Sequence, residues 1–238
     1  MELLYIKYKK SNTNMRTIAV FGGTGGLGAK LVPLLKERQS HTSNDPMYNV
    51  MALGSKDVDV TNLAEVKKFF NEYDIDIVLN MSGKKYDAFL SKITETDLPD
   101  IESMLAVNMM GNVNILAGCL PNMINKKWGR VIAISSVFAE LNVPKNSLYC
   151  ASKAFVNRLI GTANQENIKF GITCNTIMLG YWDGGMGQRV EEKYQEMAKE
   201  KIGLKRWGLI SELYNTVNYI IDTEYVCGSN LRIDGGLK

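Results

Sequence analysis

The sequence predicts an α/β fold: a single domain with a doubly wound, mostly parallel sheet of about seven strands and helices on both faces. Short apolar and β-branched runs alternate with helical stretches, which is the pattern of βαβ units. The chain has 238 residues, 45% of them hydrophobic, enough for one substantial core. No repeat or linker divides it, so we assign 15–238 to one domain and 1–14 to an N-terminal extension.

The elements follow in order along the chain. The predicted strands are residues 17–21, 49–53, 76–81, 130–135, 172–178 and 230–233. The predicted helices are residues 26–37, 62–73, 101–119, 148–162, 190–201 and 211–221, with Thr61 as the N-cap of the second. A further strand is expected at 57–60. Only Gly54-Ser55-Lys56 precedes it, and a parallel crossover ordinarily needs a dozen residues, so this strand is expected to be short or rearranged.

The composition excludes several classes of protein. The net charge is +3, with 28 basic and 25 acidic residues, which gives no electrostatic case for nucleic-acid binding. We see no apolar run near the roughly 20 residues of a membrane span and no signal peptide. Four scattered cysteines, Cys119, Cys150, Cys174 and Cys227, indicate reduced thiols in the cytoplasm. The one histidine, His41, leaves no basis for a multi-histidine metal site, and we expect no metal.

A glycine-rich turn follows the first predicted strand. Gly22-Gly23-Thr24-Gly25-Gly26-Leu27-Gly28 places five glycines between a strand and a helix. Glycine permits the tight turn and lets backbone N–H groups approach a pyrophosphate at the helix N-terminus. An ordinary glycine-rich turn is the alternative. The position at the first strand–helix junction favours dinucleotide binding on a Rossmann-type sheet.

The end of the second strand bears on which dinucleotide is bound. NAD sites usually place a carboxylate there, whereas NADP sites offer a cation to the 2′-phosphate. Here Ala52-Leu53-Gly54-Ser55-Lys56 has no carboxylate before Asp57. Ser55 and Lys56 are therefore candidates for holding the 2′-phosphate, and we expect NADP(H) rather than NAD(H). Lys56 as a solvated loop lysine is the alternative.

A tyrosine and a lysine four residues apart carry the chemistry. Tyr149 and Lys153 are spaced to share one helix face. The spacing alone means little, because Tyr5 and Lys9 also have it. Ser136 strengthens the case, since it directly follows the predicted strand 130–135, and open α/β sheets bind ligands at the carboxyl ends of their strands.

These three residues suit the reduction of a carbonyl. Hydride addition needs a proton donor at the forming alkoxide, and the reverse reaction needs a base. A free tyrosine has a pKa of about 10; an ammonium at Lys153, beside a positively charged nicotinamide, favours the phenolate of Tyr149. Ser136 is suited to hydrogen-bond the substrate oxygen. The alternative is that Tyr149 and Lys153 are surface residues and Ser136 a turn former.

The joint pattern resembles the short-chain dehydrogenase/reductase family, and most of all its 3-oxoacyl-[acyl-carrier-protein] reductases. It consists of the glycine turn, Asn80-Met81-Ser82-Gly83, Asn108, Ser136, Tyr149 with Lys153, and the ending Asp234-Gly235-Gly236. The resemblance covers residues 17–236.

The resemblance implies further roles. Asn108 would hold a water that links Lys153 to solvent, and Lys153 would also bond the nicotinamide ribose. Ser136, Tyr149, Lys153 and Asn108 are thus the expected catalytic residues. The expected cofactor-binding residues are Gly22, Thr24, Gly25, Gly26, Leu27, Gly28, Ser55, Lys56, Asp59, Val60, Asn80, Ser82, Gly83, Tyr149, Lys153, Leu179 and Gly180. For Asn80 the alternative is stabilisation of neighbouring strands, and for Asn108 it is a polar residue that kinks a helix.

The chain also departs from the family. Leu179-Gly180 stands where the family usually has Pro-Gly, and the threonine that often follows is missing, so the nicotinamide is expected to rely on backbone groups near Gly180. The glycine turn lacks the basic residue of many NADP-using relatives. The short segment before Asp57 resembles the corresponding segment of reductases that act on nucleotide-linked deoxysugars.

The expected function is an NADP-dependent reductase of a keto or 3-oxoacyl-type substrate. The alternatives are a nucleotide-sugar reductase or epimerase, and a non-catalytic NADP-binding regulatory protein. A substrate loop is expected at 181–210, where Tyr181, Trp182 and Met186 either line an apolar wall or pack the loop onto the domain. The resemblance implies a homotetramer, or a homodimer, formed through the helices 101–119 and 148–162.

Overall fold

The computed structural model describes residues 15–39, 47–184 and 192–237. Over these residues the chain forms one parallel sheet of six strands in the order β2-β1-β3-β4-β5-β6. The strands are Arg16–Phe21 (β1), Tyr48–Leu53 (β2), Ile77–Asn80 (β3), Gly129–Ser136 (β4), Ile172–Leu179 (β5) and Asn230–Ile233 (β6). The helices are Gly26–Glu37 (α1), Leu63–Glu72 (α2), Leu98–Leu105 (α3), Gly111–Lys126 (α4), Ser147–Asn167 (α5), Glu192–Lys201 (α6) and Ile210–Asp222 (α7).

The predicted α/β class and parallel sheet are confirmed, but the strand count of seven is wrong. Residues 57–60 form turns, and β2 is the edge strand in the part of the sheet that is described. The cause is the short connection after β2. The amide of Asp57 donates to the Gly54 carbonyl at 3.0 Å, and the amide of Gly54 donates to Asp57 Oδ2 at 2.7 Å. The segment turns on itself, and Val58 and Val60 are buried in the core.

The start of α2 also differs from the prediction. Asn62, not Thr61, is the N-cap, because its Oδ1 accepts from the amides of Ala64 at 3.0 Å and Glu65 at 3.3 Å. The Thr61 hydroxyl instead donates to Asp59 Oδ1 at 2.8 Å. The helix predicted for 190–201 is present at Glu192–Lys201, and its predicted first two residues lie outside the described ranges.

The sheet buries both of its faces. Strand β1 shows the alternation: Ala19 and Phe21 enter the core shared with α2, α4 and α5, whereas Ile18 and Val20 enter the core shared with α1 and α7. Side chains of a strand alternate between the two faces. Because both faces are covered, the strands read as nearly continuous apolar runs.

One helical run contradicts an expectation from the sequence. The run Glu95–Lys126 is long and apolar enough, by length and composition alone, to cross a membrane. Half of its most apolar 18-residue window is nevertheless buried inside the fold. Ile115, Leu116, Cys119 and Met123 of this run belong to the core beside α2. Part of its apolar content is therefore used in packing within the core.

The strand order fixes the place where a ligand can bind. From β1 the chain passes to β2 on one side and then to β3 on the other, so the order reverses between β2 and β3. The carboxyl ends of β1, β3, β4 and β5 border this switch point, which is where open α/β sheets bind their ligands.

Two helix glycines test how tightly the helices pack. A Cβ at Gly118 would lie 2.6 Å from the Phe70 ring and 3.0 Å from Val66 Cγ1, whereas a Cβ at Gly161 meets no atom within 4 Å. Gly118→Ala should lower the free energy of unfolding by about 1–3 kcal/mol through overpacking. Gly161→Ala should raise it by about 0.5–1 kcal/mol through helix preference. Urea unfolding of both variants measures this, and shifts of the same sign would contradict the packing described.

Candidate active site

The first strand–helix turn is shaped by close backbone approaches. Gly22 has φ +77°, and a Cβ there would lie 2.8 Å from the amide nitrogen of Ser82. A Cβ at Gly28 would overlap the carbonyl oxygen of Gly22. A larger residue at Gly22 would push the turn away from the segment that follows β3, and one at Gly28 would push α1 away from the turn. Glycine is therefore required here for geometric reasons.

The N-terminus of α1 is left open to a ligand. Gly25 is the N-cap, no side chain caps the helix, and its first turn has no acidic residue. A Cβ at Gly25 would meet no atom within 4 Å, so this side of the turn is free. Uncapped amides at the positive end of a helix form an anion-binding site. The turn thus fits the pyrophosphate of a dinucleotide.

A single cleft of about 580 Å³ joins this turn to the predicted catalytic group. Most of the site residues predicted from the sequence line it: Gly22, Thr24, Gly25, Gly26, Leu27, Gly28, Ser55, Asp59, Val60, Ser82, Gly83, Ser136, Tyr149, Lys153, Leu179 and Gly180. Three predicted residues do not line the cleft: Lys56, Asn80 and Asn108. Lys56 is exposed on the outer side of its turn.

Ser136 is the last residue of β4. Its Oγ donates to the carbonyl of Leu179 at 3.3 Å and accepts from the amide of Phe138 at 3.2 Å. The hydroxyl is thus held between the ends of β4 and β5. It lies at the carboxyl edge of the sheet, as the sequence predicted.

Tyr149 is buried in the cleft, with 6% of its surface exposed. Its ring packs edge-on against Phe138, with 6.2 Å between ring centroids. Burial raises the pKa of Tyr149 to about 12, and its hydrogen bond with Ser136 opposes that rise. Lys153 is not among the groups that shift the pKa of Tyr149 here, and a lowering by Lys153 beside a bound nicotinamide stays a prediction.

Lys153 is buried one helical turn further along α5. It is 4% exposed, and its Nζ donates to the carbonyl of Ile134 at 3.0 Å. The Nζ lies 5.7 Å from the centroid of the Tyr149 ring. Burial lowers the pKa of Lys153 to about 8. The two side chains therefore face the same cleft, as their spacing predicted.

Asn108 and Asn80 are internal rather than cleft-lining. Asn108 lies in a π-helical turn, Ala106–Met110, where its Nδ2 donates to the Lys84 carbonyl at 2.9 Å and its Oδ1 accepts from the Lys84 amide at 2.9 Å. Asn80 Oδ1 accepts from the amide of Ser82 at 3.0 Å. Both side chains hold the segment that follows β3.

The substrate side of the cleft includes residues that the sequence did not single out. Phe138 and Val143 add apolar surface, and Lys84, Lys85 and Asn146 add polar groups. Lys85 and Lys84 directly follow Gly83 in the sequence, which was the available signal for them. Phe138, Val143 and Asn146 had no signal, because they come from the connection between β4 and α5, which carries no motif.

The predicted substrate loop is described only in part. Tyr181 lines the cleft and packs edge-on against Phe138, with 6.2 Å between ring centroids. Trp182 is 5% exposed and belongs to the core beside α7, although it also borders the cleft. Met186 and His41 lie outside the described residues. Within the described ranges there is no cluster of three or more potential metal ligands.

The departure from Pro-Gly after β5 has a structural counterpart. A Cβ at Gly180 would lie 2.8 Å from the Cβ of Asp234, and the Gly180 amide donates to the Ile233 carbonyl at 3.2 Å. Asp234 thus packs directly against Gly180, whereas Gly235 and Gly236 approach residues 202–204. Leu179 and Gly180 form part of the cleft surface.

Comparisons with known proteins agree with this geometry. The family described as short chain dehydrogenase matches residues 16–195. The chain is 26% identical over 235 residues to 3-oxoacyl-[acyl-carrier-protein] reductase FabG of Rickettsia conorii, covering 93% of this chain and 96% of that protein. It is 27% identical over 237 residues to 3-oxoacyl-[acyl-carrier-protein] reductase MabA of Mycobacterium avium, covering 93% and 89%.

Solved structures share the fold. A gluconate 5-dehydrogenase from Burkholderia cenocepacia, in complex with NADP and tartrate, matches with a TM-score of 0.81 at 22% identity, covering 97% of this chain and 96% of that one. A putative gluconate dehydrogenase from Agrobacterium tumefaciens matches with a TM-score of 0.80 at 22% identity, covering 93% and 95%.

Burial of Lys153 should make stability depend on pH. In the folded chain burial lowers the pKa of Lys153 to about 8, below the 10.5 of a solvated lysine. Between these values the unfolded chain binds a proton that the folded chain lacks, so the penalty for burying the amine falls as pH rises. From pH 7.5 to 9.5 the wild type should gain roughly 2 kcal/mol of unfolding free energy relative to Lys153→Met. Urea unfolding at several pH values measures the gain.

Lys67→Met, at an exposed position of α2, is the matched control for the loss of one lysine. For each variant the free energy of unfolding is subtracted from that of the wild type at every pH. If this difference changes with pH in the same way for Lys153→Met and Lys67→Met, the burial of Lys153 has no effect on its titration.

Proposed function

Because the chain belongs to the short-chain dehydrogenase family, whose members are oxidoreductases acting on CH–OH or carbonyl groups, we propose that it is an NADP-dependent reductase of a keto or 3-oxoacyl-type substrate. The observation that carries this proposal is the single cleft in which Ser136, Tyr149 and Lys153 are continuous with the glycine turn. The names of the FabG and MabA relatives support the 3-oxoacyl class.

Each group of cleft residues has a separate role in the proposed reduction. A bound NADPH supplies the hydride. The glycine turn and the amides of α1 hold the pyrophosphate, and Lys153 bonds the nicotinamide ribose. Ser136 donates a hydrogen bond to the substrate oxygen, and Tyr149 transfers its phenolic proton to that oxygen as negative charge forms there.

The burial of Tyr149 suits the direction of reduction. Its pKa of about 12 keeps the phenol protonated near neutral pH, which is the state a proton donor needs. In the oxidative direction the phenolate is needed instead. A positive charge held beside the phenol lowers its pKa, so protonation of Lys153 favours the reverse reaction.

The adenosine end of the cleft supports NADP(H). Ser55 lines the cleft. Asp57, the nearest carboxylate, accepts the hydrogen bond of the Gly54 amide at 2.7 Å, so it is already used by its own turn. Asp59 Oδ1 likewise accepts from Thr61. Lys56 is exposed and does not line the cleft, and we assign it a supporting role beside Ser55 in holding the 2′-phosphate.

The substrate class is supported by the mixed character of the wall near Tyr149. Phe138 and Tyr181 form an aromatic surface, which suits an acyl chain or other apolar group. Lys85 pairs with Asp87 at 2.6 Å on the polar side. The nucleotide-sugar alternative predicts turnover of keto-sugars in place of ketoacyl thioesters, so a panel containing both separates the two.

We also propose that the enzyme is cytoplasmic and assembles as a homotetramer or homodimer through the outer faces of α4 and α5. All four cysteines are free thiols, and burial raises the pKa of Cys174 to about 12, which keeps that thiol protonated. Sedimentation equilibrium measures the assembly state.

Removal of the phenol should abolish turnover without loss of nucleotide binding. Tyr149→Phe should lower kcat by at least about a hundredfold, because general acid catalysis of this kind contributes 10²–10⁴. NADPH oxidation with a panel of ketoacyl thioesters and keto-sugars measures kcat, and NADPH fluorescence titration measures binding.

Tyr225→Phe is the matched control, since Tyr225 is 97% exposed. Equal turnover in Tyr149→Phe and the wild type would reject Tyr149 as the proton donor. Binding of NADPH with no Tyr149-dependent turnover of any substrate would favour the non-catalytic, nucleotide-binding alternative.

The two nucleotides should stabilise the protein unequally. A ligand that binds only the folded state raises stability by RT ln(1 + [L]/Kd), so at equal concentration NADPH should raise Tm more than NADH. Ser55→Asp should raise the Kd for NADPH by at least about tenfold, because it places a carboxylate where the 2′-phosphate is expected. The Kd for NADH should stay within about twofold of the wild-type value. A larger shift with NADH in the wild type would overturn the assignment to NADP.

A further inference from the structure

A chain of buried hydrogen bonds crosses the molecule behind the cleft. It begins at Asn80, where β3 ends, passes through Asn112 on α4 and Asn108 in the π-helical turn, and reaches Ser152 on α5. Asn80 Nδ2 donates to Asn112 Oδ1 at 2.8 Å, and Asn108 Nδ2 donates to Ser152 Oγ at 3.1 Å. Ser152 Oγ in turn donates to the carbonyl of Tyr149 at 2.8 Å.

Asn112 is the central member of this chain. It is 5% exposed, and its Nδ2 donates to the main-chain carbonyl of Asn108 at 2.7 Å. In the π-helical turn the amide of Gly111 reaches back five residues to the carbonyl of Ala106, so the regular ladder is shifted here. A side-chain donor at position 112 therefore fixes a carbonyl of the shifted turn.

The atoms held in this way face the cleft from behind. A Cβ at Gly83 would lie 3.6 Å from Asn108 Oδ1 and 3.6 Å from Lys153 Nζ. Gly83 lines the cleft, so both polar atoms lie next to a residue of the cleft wall. A change in the orientation of Asn108 would consequently alter the spacing between the segment after β3 and the amine of Lys153.

We propose that Asn112 is a positioning residue for the hydride-transfer reaction. It holds Asn108, and through Asn108 and Ser152 it fixes the turn of α5 that carries Tyr149 and Lys153 against the segment that follows β3. This inference rests on the proposed function, because it concerns the placement of the same Tyr149 and Lys153.

The effect of losing Asn112 should fall on turnover more than on nucleotide binding. Asn80 holds Ser82 through its own Oδ1, and these bonds do not involve Asn112. The glycine turn is likewise shaped by backbone contacts between Gly22, Gly28 and Ser82. The orientation of Tyr149 depends on the other end of the chain, through Asn108 and Ser152, and small misplacements of catalytic groups reduce the rate strongly.

A pair of variants of equal shape isolates the hydrogen bond. Threonine and valine have the same branched outline, but a threonine hydroxyl on a helix donates to the carbonyl four residues back, which is here the carbonyl of Asn108. Asn112→Thr therefore keeps a donor to that carbonyl, whereas Asn112→Val removes it. Changes in volume are common to both variants.

A second asparagine of α4 controls for stability alone. Asn122 Nδ2 donates to the carbonyl of Phe70 at 2.6 Å, so Asn122→Val also removes a bond from a side-chain amide to a main-chain carbonyl. This bond joins α4 to α2, away from the cleft. Asn122→Val should lower Tm and leave kcat unchanged.

The experiment measures kcat, the KM for NADPH and Tm for the wild type and the variants, with the substrate that the wild type reduces best. Asn112→Val should lower kcat by at least about tenfold and change the KM for NADPH by less than about threefold. Asn112→Thr should keep kcat within about threefold of the wild type. If Asn112→Val does not fold, Asn112→Asp replaces it, because it keeps the acceptor for Asn80 and removes the donor to Asn108.

The proposal is overturned if Asn112→Val retains the kcat of the wild type, or if kcat falls as far in Asn112→Thr as in Asn112→Val. It is also overturned if the fall in kcat of Asn122→Val, relative to its fall in Tm, is as large as that of the variants at position 112. These outcomes leave the proposed function intact so long as wild-type turnover disappears in Tyr149→Phe. Absence of Tyr149-dependent turnover in the wild type rejects both.

Discussion

The burial of Lys153 is the constraint on which the organisation of the cleft depends. An amine that is 4% exposed loses most of its hydration, and the Ile134 carbonyl, at 3.0 Å, replaces only part of it. The same desolvation raises the pKa of Tyr149 and lowers that of Lys153, so both groups are driven toward their neutral forms. The charge state of the pair therefore responds to any ion that enters the cleft beside it.

The polar groups behind the cleft explain how such a pair is kept in place. Asn80, Asn108, Asn112 and Ser152 are all buried, and each takes part in hydrogen bonds that link one element to the next. A buried amide left without partners is costly, so these residues define one arrangement of β3, α4 and α5. Apolar packing alone would allow small shifts between these elements.

The sequence was most informative where a residue type has a single physical use. Gly22 and Gly28 are required by close backbone approaches, and Tyr149, Lys153 and Ser136 are residue types that suit the proposed reaction. All five line the cleft. One strand too many was predicted because Val58 and Val60 are residues typical of strands. Their side chains are buried in the core, but they belong to the turn-rich segment after β2. The orientation of Asn108 depends on a π-helical turn, and that of Lys56 on the Gly54–Asp57 turn; neither feature has a signature in composition or periodicity.

The connection between β2 and α2 separates two tasks that a sheet strand would combine. Gly54, Ser55, Val58, Asp59 and Val60 line the cleft but contribute no rung to the hydrogen-bond ladder of the described sheet. Their turn is closed by its own groups, through Gly54 and Asp57. Under the proposed function, substitutions at the solvent-facing positions of this turn are therefore expected to change nucleotide recognition without altering any strand pair of the described sheet.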